Sequence, residues 1–352
     1  MLSLSINQNQ FSDLLNLNYG VFLPLKNFVN EKNFRNILIK KKIDNKFFPI
    51  PIFFGIKKID YNKIKNSTKI KIIYKRKLIA IVRLKSLFKI DHKIYGKKIF
   101  GKNFKNHSYY IKFKKENYAF IDLEYIKLEK KNLKDKNFVP PIKFKKRINF
   151  KNKKKKNLAG FHTRNVPHSA HQWIHQFLIK KYSNILIQPL IGQYKKNEYL
   201  DQIIKKTNLI AIKMYPRKKA FYLPYFSYPR YGGPLEASLH AIVRKNYGCT
   251  HFWVGRDHAG YKNFYSKYAS QNFCKKNQKR LGINIIAENE PYFCSSCKLI
   301  VNKQCKVKKC VNAKKIRISG TKIRNLVKRN KPVPEILMKK EISIILDKKS
   351  II

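Results

Sequence analysis

Carboxylates are scarce in this chain. It carries 19 Asp and Glu against 79 Lys and Arg in 352 residues, a formal charge of +60. Such a field draws anions of every kind and would hold nucleic acid only non-specifically, through charge and in a salt-dependent way. Long apolar runs are missing too. No stretch reaches the roughly 18 apolar residues of a membrane span, which excludes a transmembrane helix and predicts no membrane partner. Met1 to Gln10 lacks a basic segment followed by an apolar core, so no secretory signal is expected. Cysteine is limited to six residues. Without an export signal these are expected as thiols or metal ligands rather than a disulfide framework, in a reducing, cytoplasmic setting. There is no internal repeat.

What is present is a globular composition. The hydrophobic share is 43%, and 24 Phe, 21 Tyr and 2 Trp exclude a disordered chain. The length suffices for two or three domains with real cores. The positive charge has two readings. One is a polyanion partner such as RNA or DNA. The other is compositional drift: Lys, Asn and Ile share A/T-rich codons, and the bias relents between Gly232 and Gly260. The second reading is preferred.

The chain changes texture part-way along. Residues 1–150 read as β-rich, with strand candidates at Phe47–Phe54, Ile70–Tyr74, Leu78–Leu84 and Tyr118–Leu128 and one helix between Asn30 and Lys41. The basic run Lys143 to Asn157, just after Pro140-Pro141, reads as a linker. Beyond it, strand and helix patterns alternate: Ile185–Ile191, Glu198–Asn208, Leu209–Tyr215, Pro234–Asn246 and His251–Val254. That alternation predicts an α/β fold with a parallel sheet, in which ligands sit beyond the carboxyl ends of the strands.

Five segments carry chemistry. The first is Gly-Phe-His-Thr-Arg-Asn-Val-Pro-His-Ser-Ala-His-Gln, residues 160–172. Arg164 offers fixed donors to phosphate or sulfate oxygens. His168 and His171 lie three apart on one helix face, with Pro167 suited to the first helical turn. A polar capping turn is the plainer alternative. Trp173 and Phe177 after it are expected in the core. The second segment is Tyr228-Pro-Arg-Tyr-Gly-Gly-Pro-Leu-Glu-Ala, where Gly232-Gly233 lets a backbone approach a ligand and Arg230 stands near a helix start. A tight loop with a surface arginine reads these residues as well.

The third segment, Gly255-Arg256-Asp257-His258-Ala259-Gly260, follows an apolar strand and suits ribose, adenine or phosphate; alone it would be a charged turn. The fourth is Cys294-x2-Cys297-x7-Cys305-x4-Cys310. Two close thiol pairs suit tetrahedral zinc, and four ligands leave no open position, so the metal is expected to be structural. Cys249 and Cys274 are expected as buried thiols. The fifth, Ile318-Ser-Gly-Thr-Lys-Ile-Arg, places Ser319 as a cap and Lys322 and Arg324 near an anion, or is an ordinary capped helix.

In this order the segments resemble the ATP sulfurylase (sulfate adenylyltransferase) family, most closely its zinc-bearing bacterial and archaeal branch. Thr163, Arg164, Asn165, His168 and His171 match its Gln-Thr-Arg-Asn-Pro-x-His-Arg-Ala-His stretch. Gly233-Pro234 with Glu236-Ala237 matches its Gly-Pro-Arg-Glu-Ala helix start. Residues 255–260 match its Gly-Arg-Asp-His-Ala-Gly loop, and 318–321 with Arg324 its Ile-Ser-Gly-Thr-x-x-Arg element. His240 to His251 is also similar, and Gly20 to Phe28 resembles the start of its PUA-like domain.

The resemblance implies AMP transfer from MgATP to sulfate, giving adenylyl sulfate and pyrophosphate, or the reverse in sulfur oxidation. Sulfate attacks the α-phosphorus directly, without a protein nucleophile. Thr163, Arg164, Asn165, His168 and His171 are the implied catalytic residues. His162, Arg164, Gly255, Arg256, Asp257, His258, Ala259, Gly260 and Arg324 are implied at the substrates, and Cys294, Cys297, Cys305 and Cys310 at Zn2+, with Mg2+ arriving on ATP. The implied architecture is a PUA-like β-rich domain over 1–150, a Rossmann-like HxxH nucleotidyltransferase domain over 151–316 with the zinc knuckle at 294–310, and a small C-terminal α/β unit over 317–352. A homo-oligomer is implied.

Several positions depart from the family pattern. His162 replaces a sulfate-binding glutamine, Ser169 an arginine between the histidines, and Leu235 the arginine before Glu236. No Gly-x-x-x-x-Gly-Lys-[Ser/Thr] loop occurs, so no kinase activity on adenylyl sulfate is expected. Two other readings use the same residues: a related nucleotidyltransferase with a changed acceptor, and a weakened enzyme kept as a nucleic-acid-binding module.

Overall fold

The computed structural model describes residues 1–148, 157–192, 197–303, 310 and 313–352. Contacts divide the chain into two compact units. The first comprises Met1–Arg147, Ser227–Tyr247 and Asp257–Ile283. Its sheet contains β1 (Ser3–Ser5), β2 (Gly55–Ile56), β3 (Lys69–Tyr74), β4 (Lys77–Phe88) and β5 (Ala119–Leu128), in the order β1-β3-β4-β5-β2. Alternation dictates the pairing. In β3 the side chains of Ile70 and Ile72 are buried and those of Lys69 and Lys71 exposed, the period of two that a half-buried strand requires. β3, β4 and β5 run antiparallel, and β1 joins parallel to β3. An aromatic core fills the unit: Phe53 meets Phe113 and Phe120 edge-on, and Tyr95 stacks on Phe113 with centroids 3.9 Å apart.

The expected strand over Phe47–Phe54 does not form. Lys46–Phe47 and Gly55–Ile56 are its only paired ends. Pro49 and Pro51 lie between them and cannot donate to a ladder. The expected helix is present as Glu31–Lys40, with Asn30 accepting from the Asn33 N–H. The basic run begins inside a helix, Pro141–Arg147, and residues 149–156 of it lie outside the described residues.

The second unit comprises Ile148–Phe226, Gly248–Arg256 and Asn284–Ile352. Its main sheet is parallel and holds β6 (Leu158–Thr163), β7 (Asn184–Ile191), β8 (Ala220–Tyr222), β9 (Tyr225–Phe226), β10 (His251–Trp253) and β11 (Asn284–Ile286). The path is β8-β7-β6-β10-β11, with β9 also on β7. Every residue of β7 is buried, the mark of an interior parallel strand covered on both faces. The core beside it gathers Phe161, Ile174, Leu178, Ile187, Tyr215 and Trp253, with Trp173 and Phe177 packed against it as expected.

Leu209–Tyr215, expected as a strand, continues the helix Asp201–Lys213. Its apolar run carries no period of its own. Ile204, Thr207, Asn208 and Ala211 are buried at spacings of three and four, so the helical face runs on through it. A small sheet of β12 (Tyr292–Cys294), β13 (Ile300–Val301) and β14 (Lys315–Arg317) completes the unit, ordered β13-β12-β14 and antiparallel. Among the described residues no helix is long and apolar enough to cross a membrane.

Candidate active site

Strand order locates the site in the second unit. The chain builds outward from β6 through β7 to β8, then returns to place β10 on the other side of β6. Connections from β6 and β10 therefore leave in opposite directions, which opens a crevice beyond their carboxyl ends. Register puts Trp253, the last residue of β10, beside Phe161, and β6 runs on two residues to Thr163. Arg164 to His168 follows β6, and Val254 to Arg256 follows β10.

The first segment organises itself by local hydrogen bonds. Thr163 Oγ1 accepts from the Asn165 N–H at 3.0 Å. The helix begins at Ser169, not at Pro167, because His168 takes the capping position and its Nδ1 accepts the His171 N–H at 3.3 Å. That bond has a chemical consequence. A neutral imidazole accepting through Nδ1 carries its proton on Nε2, so His168 is a donor at its other nitrogen. The His168 and His171 rings stack with centroids 3.7 Å apart, which confirms the shared face.

Burial keeps both rings neutral. Burial first and Arg324 second push His168 down to about 4. His171 is held well below the ordinary histidine value by burial and by its neighbours His168 and His175.

The fifth segment meets the first. Arg324, on the helix Gly320–Lys328, donates to Asn165 Oδ1 and, through Nη2, to Thr321 Oγ1 at 3.2 Å. Gly320 permits the approach, since a Cβ there would stand 3.2 Å from Asn165 Nδ2. Ser319 occupies the capping position, but its side chain makes no capping hydrogen bond. Burial lowers the proton affinity of Arg324, Tyr199 and Glu198 raise it, and Arg164 lowers it again. Arg164 itself faces Glu198 at 3.6 Å. Two guanidiniums close enough to feel one another cost free energy unless an anion lies between or beside them. His162 lies on β6 opposite Gln188, its ring 6.4 Å from that of Tyr225.

The third segment straddles the division between units. Gly255 and Arg256 belong to the second, where Arg256 pairs with Glu290 at 2.8 Å and Arg317 shares that carboxylate at 3.4 Å. Asp257 to Gly260 belong to the first. There Asp257 and Ala259 have positive φ, and Gly260 N–H closes on the Asp257 carbonyl at 3.2 Å. His258 Nε2 lies 3.0 Å from His240 Nδ1. Gly260 leaves room for the Asp257 carboxylate, since a Cβ would stand 2.0 Å from Oδ1 and the side chain would have to turn away.

Arg230 departs from expectation. It is buried against Asp13, whose other oxygen accepts from Tyr228 at 2.7 Å, and so is a structural ion pair rather than an open anion contact. Gly233, at φ 52°, makes room for the Tyr265 ring, 2.7 Å from where its Cβ would stand, rather than for a ligand.

The thiols of Cys294, Cys297 and Cys310 lie within 4.8 Å of one another, and Cys305 lies outside the described residues. The Cys297 N–H draws the Cys294 thiol down to about 7 against burial, with help from the Ser296 N–H. Backbone N–H donors favour the thiolate of Cys294, the form that zinc binds, so the donor set fits the metal. Cys249 and Cys274 are buried thiols, as expected.

A family model described as ATP-sulfurylase matches residues 139–349, and one described as a PUA-like domain matches residues 1–121. The chain belongs to the ATP-sulfurylase family. A curated sulfate adenylyltransferase of Pyrococcus abyssi is 31% identical over 96% of this chain and 88% of its own length. That of Ignicoccus hospitalis is 30% identical over 97% and 89%. A solved structure titled hexameric APS kinase from Thiobacillus denitrificans aligns with a TM-score of 0.72 and 15% identity, over 98% of this chain and 62% of that one. At that identity the likeness is one of fold. The N-terminal PUA-like domain and the parallel-sheet architecture are therefore those expected of an ATP sulfurylase.

Four residues had not been singled out from the sequence: Glu198, Glu290, His175 and Tyr215. His175 had a signal, since it lies four residues after His171 on the same face. The other partners are distant in sequence and had none.

Proposed function

We propose that this protein is a sulfate adenylyltransferase, transferring AMP from MgATP to sulfate. A sulfate oxygen attacks the α-phosphorus, the bond to the β-phosphate oxygen breaks, and pyrophosphate leaves. The observation that carries the reading is the cluster of Arg164, Asn165, His168, His171 and Arg324 at the carboxyl end of β6. It combines cationic donors with neutral imidazoles.

In this reading Arg164 holds sulfate, taking the anion in place of Glu198. Thr163 and Asn165 contact sulfate or the α-phosphate. His168 donates from Nε2 toward charge that develops on the departing oxygens, together with His171, and Arg324 meets pyrophosphate. The loop Gly255, Arg256, Asp257, His258, Ala259 and Gly260 is proposed at the nucleotide on its motif match, and His162 at sulfate because it stands where the family has a sulfate-binding glutamine. Mg2+ enters as part of the MgATP substrate. Cys294, Cys297 and Cys310 would hold zinc with a fourth ligand, Cys305 by spacing, and the metal would supply a structural cross-link. The 1–150, 151–316 and 317–352 domain division, a homo-oligomeric state and a cytoplasmic setting belong to the proposal on the sequence reading.

The test is molybdate- or sulfate-dependent release of pyrophosphate from MgATP by purified, zinc-loaded protein. Release should occur, and Arg164→Ala should lower kcat/KM by about 100-fold or more, the usual loss for a donor to developing charge. Arg164 is partly exposed, so the variant should fold. A folded wild-type protein that releases nothing at any sulfate concentration would sink the reading.

A further inference from the structure

His175 lies one turn beyond His171 and belongs to none of the motifs, yet it is a histidine in an apolar core. Its side chain is 1% exposed. Phe161 packs edge-on against both His171 and His175, with centroids 5.1 and 4.5 Å away. The His171 and His175 rings lie within 24° of parallel, centroids 6.4 Å apart. An aliphatic residue would serve such a core better, because a buried polar atom without a partner keeps the cost of its lost hydration. His175 carries one: its Nε2 has no hydrogen-bond partner.

Protons can be placed on this group by elimination. Tyr215 O–H lies 2.9 Å from His175 Nδ1. A buried phenol has to donate, and Nδ1 is the acceptor it has among the described residues, so the His175 proton is on Nε2. His171 interacts with the Val166 carbonyl, which only accepts, while its Nδ1 has no partner. The His171 proton is therefore on Nε2, and Nδ1 is a buried lone pair. One residue has a donor without an acceptor. The other, on the same face, has an acceptor without a donor. With the ring centroids 6.4 Å apart the two nitrogens cannot bond directly, so a link between them would be one water.

We propose that Tyr215 and His175 are positioning residues for His171. They form a directed chain from Tyr215 O–H to His175 Nδ1, and from His175 Nε2–H across one water to His171 Nδ1. Together with the Val166 carbonyl, which accepts from Nε2–H in this structure, the chain holds the His171 proton on Nε2, and that N–H passes from the carbonyl to the phosphate oxygens when substrate arrives. It rests on the adenylyltransferase reading only for what His171 then does; the proton placement stands apart from it.

Three variants test the chain: His175→Leu, which keeps the packing and removes the donor; His175→Gln, which restores a donor; and Tyr215→Phe, which removes only the hydroxyl. In molybdate-dependent pyrophosphate release, His175→Leu and Tyr215→Phe should each lower kcat about tenfold with KM for MgATP within about twofold, the signature of misorientation rather than lost binding. His175→Gln should recover most of kcat. Long-range nitrogen spectra of histidine-labelled protein give a readout without turnover. The ring assigned to His171 by its loss in His171→Gln should show a fixed Nε2–H form in the wild type and mixed tautomers in His175→Leu. A wild type without turnover, but with that change of tautomer, would count against the adenylyltransferase reading and leave the chain standing. Unchanged kcat in folded His175→Leu, or a His171 tautomer indifferent to it, overturns the proposal. So does a His175→Gln variant no better than His175→Leu.

Discussion

His168 does two things with one ring. Its Nδ1 caps the helix Ser169–Tyr182, and that bond turns the opposite nitrogen into a donor. Both uses require the neutral form, and burial enforces it. The cost appears as a pH dependence of stability whose sign follows from the shift. His168 titrates near 4 and His175 near 3 in the folded protein, below the ordinary 6.5. The unfolded chain therefore takes up protons first as pH falls. Stability from these groups is complete above about pH 6.5 and is lost as pH drops toward 4 and then 3, by up to about 1.4 kcal/mol per pH unit for each histidine. Urea unfolding at pH 7, 5.5 and 4.5 should show this fall. His168→Asn, which keeps a capping oxygen but cannot titrate, should lose less stability over the same range. Parallel curves for the two proteins would show that His168 carries no such penalty.

At the scale of elements, the small sheet of β12, β13 and β14 bears more than its size suggests. Its strands are two or three residues long, too short to be stable without help. β14 leads directly into Ile318-Ser-Gly-Thr and the helix that carries Arg324, while Arg317 on β14 shares Glu290 with Arg256. A metal on Cys294, Cys297 and Cys310 would fix this sheet and, through it, Arg317, Arg324 and Arg256. Purified protein should contain about one zinc per chain, as tetrahedral thiolate sites do. Chelation or Cys294→Ser should raise hydrogen exchange over 292–317 and lower turnover, while β6 and β7 stay protected. Equal exchange with and without metal would remove the structural role.

The same elements show what the sequence could disclose. The parallel strands were legible from the alternation of strand and helix patterns beyond the basic run, rather than from any single apolar run. The histidine pair was legible because spacing alone puts it on one face. Leu209–Tyr215 misled because an apolar run without a period reads equally well as strand or as the continuation of a helix. Arg230 misled for another reason. Its partner Asp13 lies 217 residues away, and no local pattern announces that an arginine at a helix start is already taken. Glu198, Glu290 and Tyr215 share that property: each acts through a contact that only the fold creates.

For the molecule as a whole the governing quantity is the charge of +60. Few carboxylates are available to offset it, and several serve particular arginines: Asp13 serves Arg230, Glu198 faces Arg164, and Glu290 lies between Arg256 and Arg317. The remaining lysines repel one another across the surface, which destabilises the compact state. Salt relieves that repulsion, because screening shortens from about 30 Å at 0.01 M to about 8 Å at 0.15 M ionic strength. Thermal unfolding should therefore move upward between 10 and 150 mM NaCl, by about 2–4 °C for each ~1 kcal/mol of repulsion removed from a unit of this size. The specific site adds a second effect that screening cannot mimic. At matched ionic strength, sulfate should raise the midpoint above that in chloride, and Arg164→Ala should abolish the difference while keeping the response to NaCl. A midpoint unmoved by NaCl would show that the lysines are spaced widely enough to be harmless. A sulfate effect that survives in Arg164→Ala would show that the anion binds the lysine-rich surface at large rather than the end of β6.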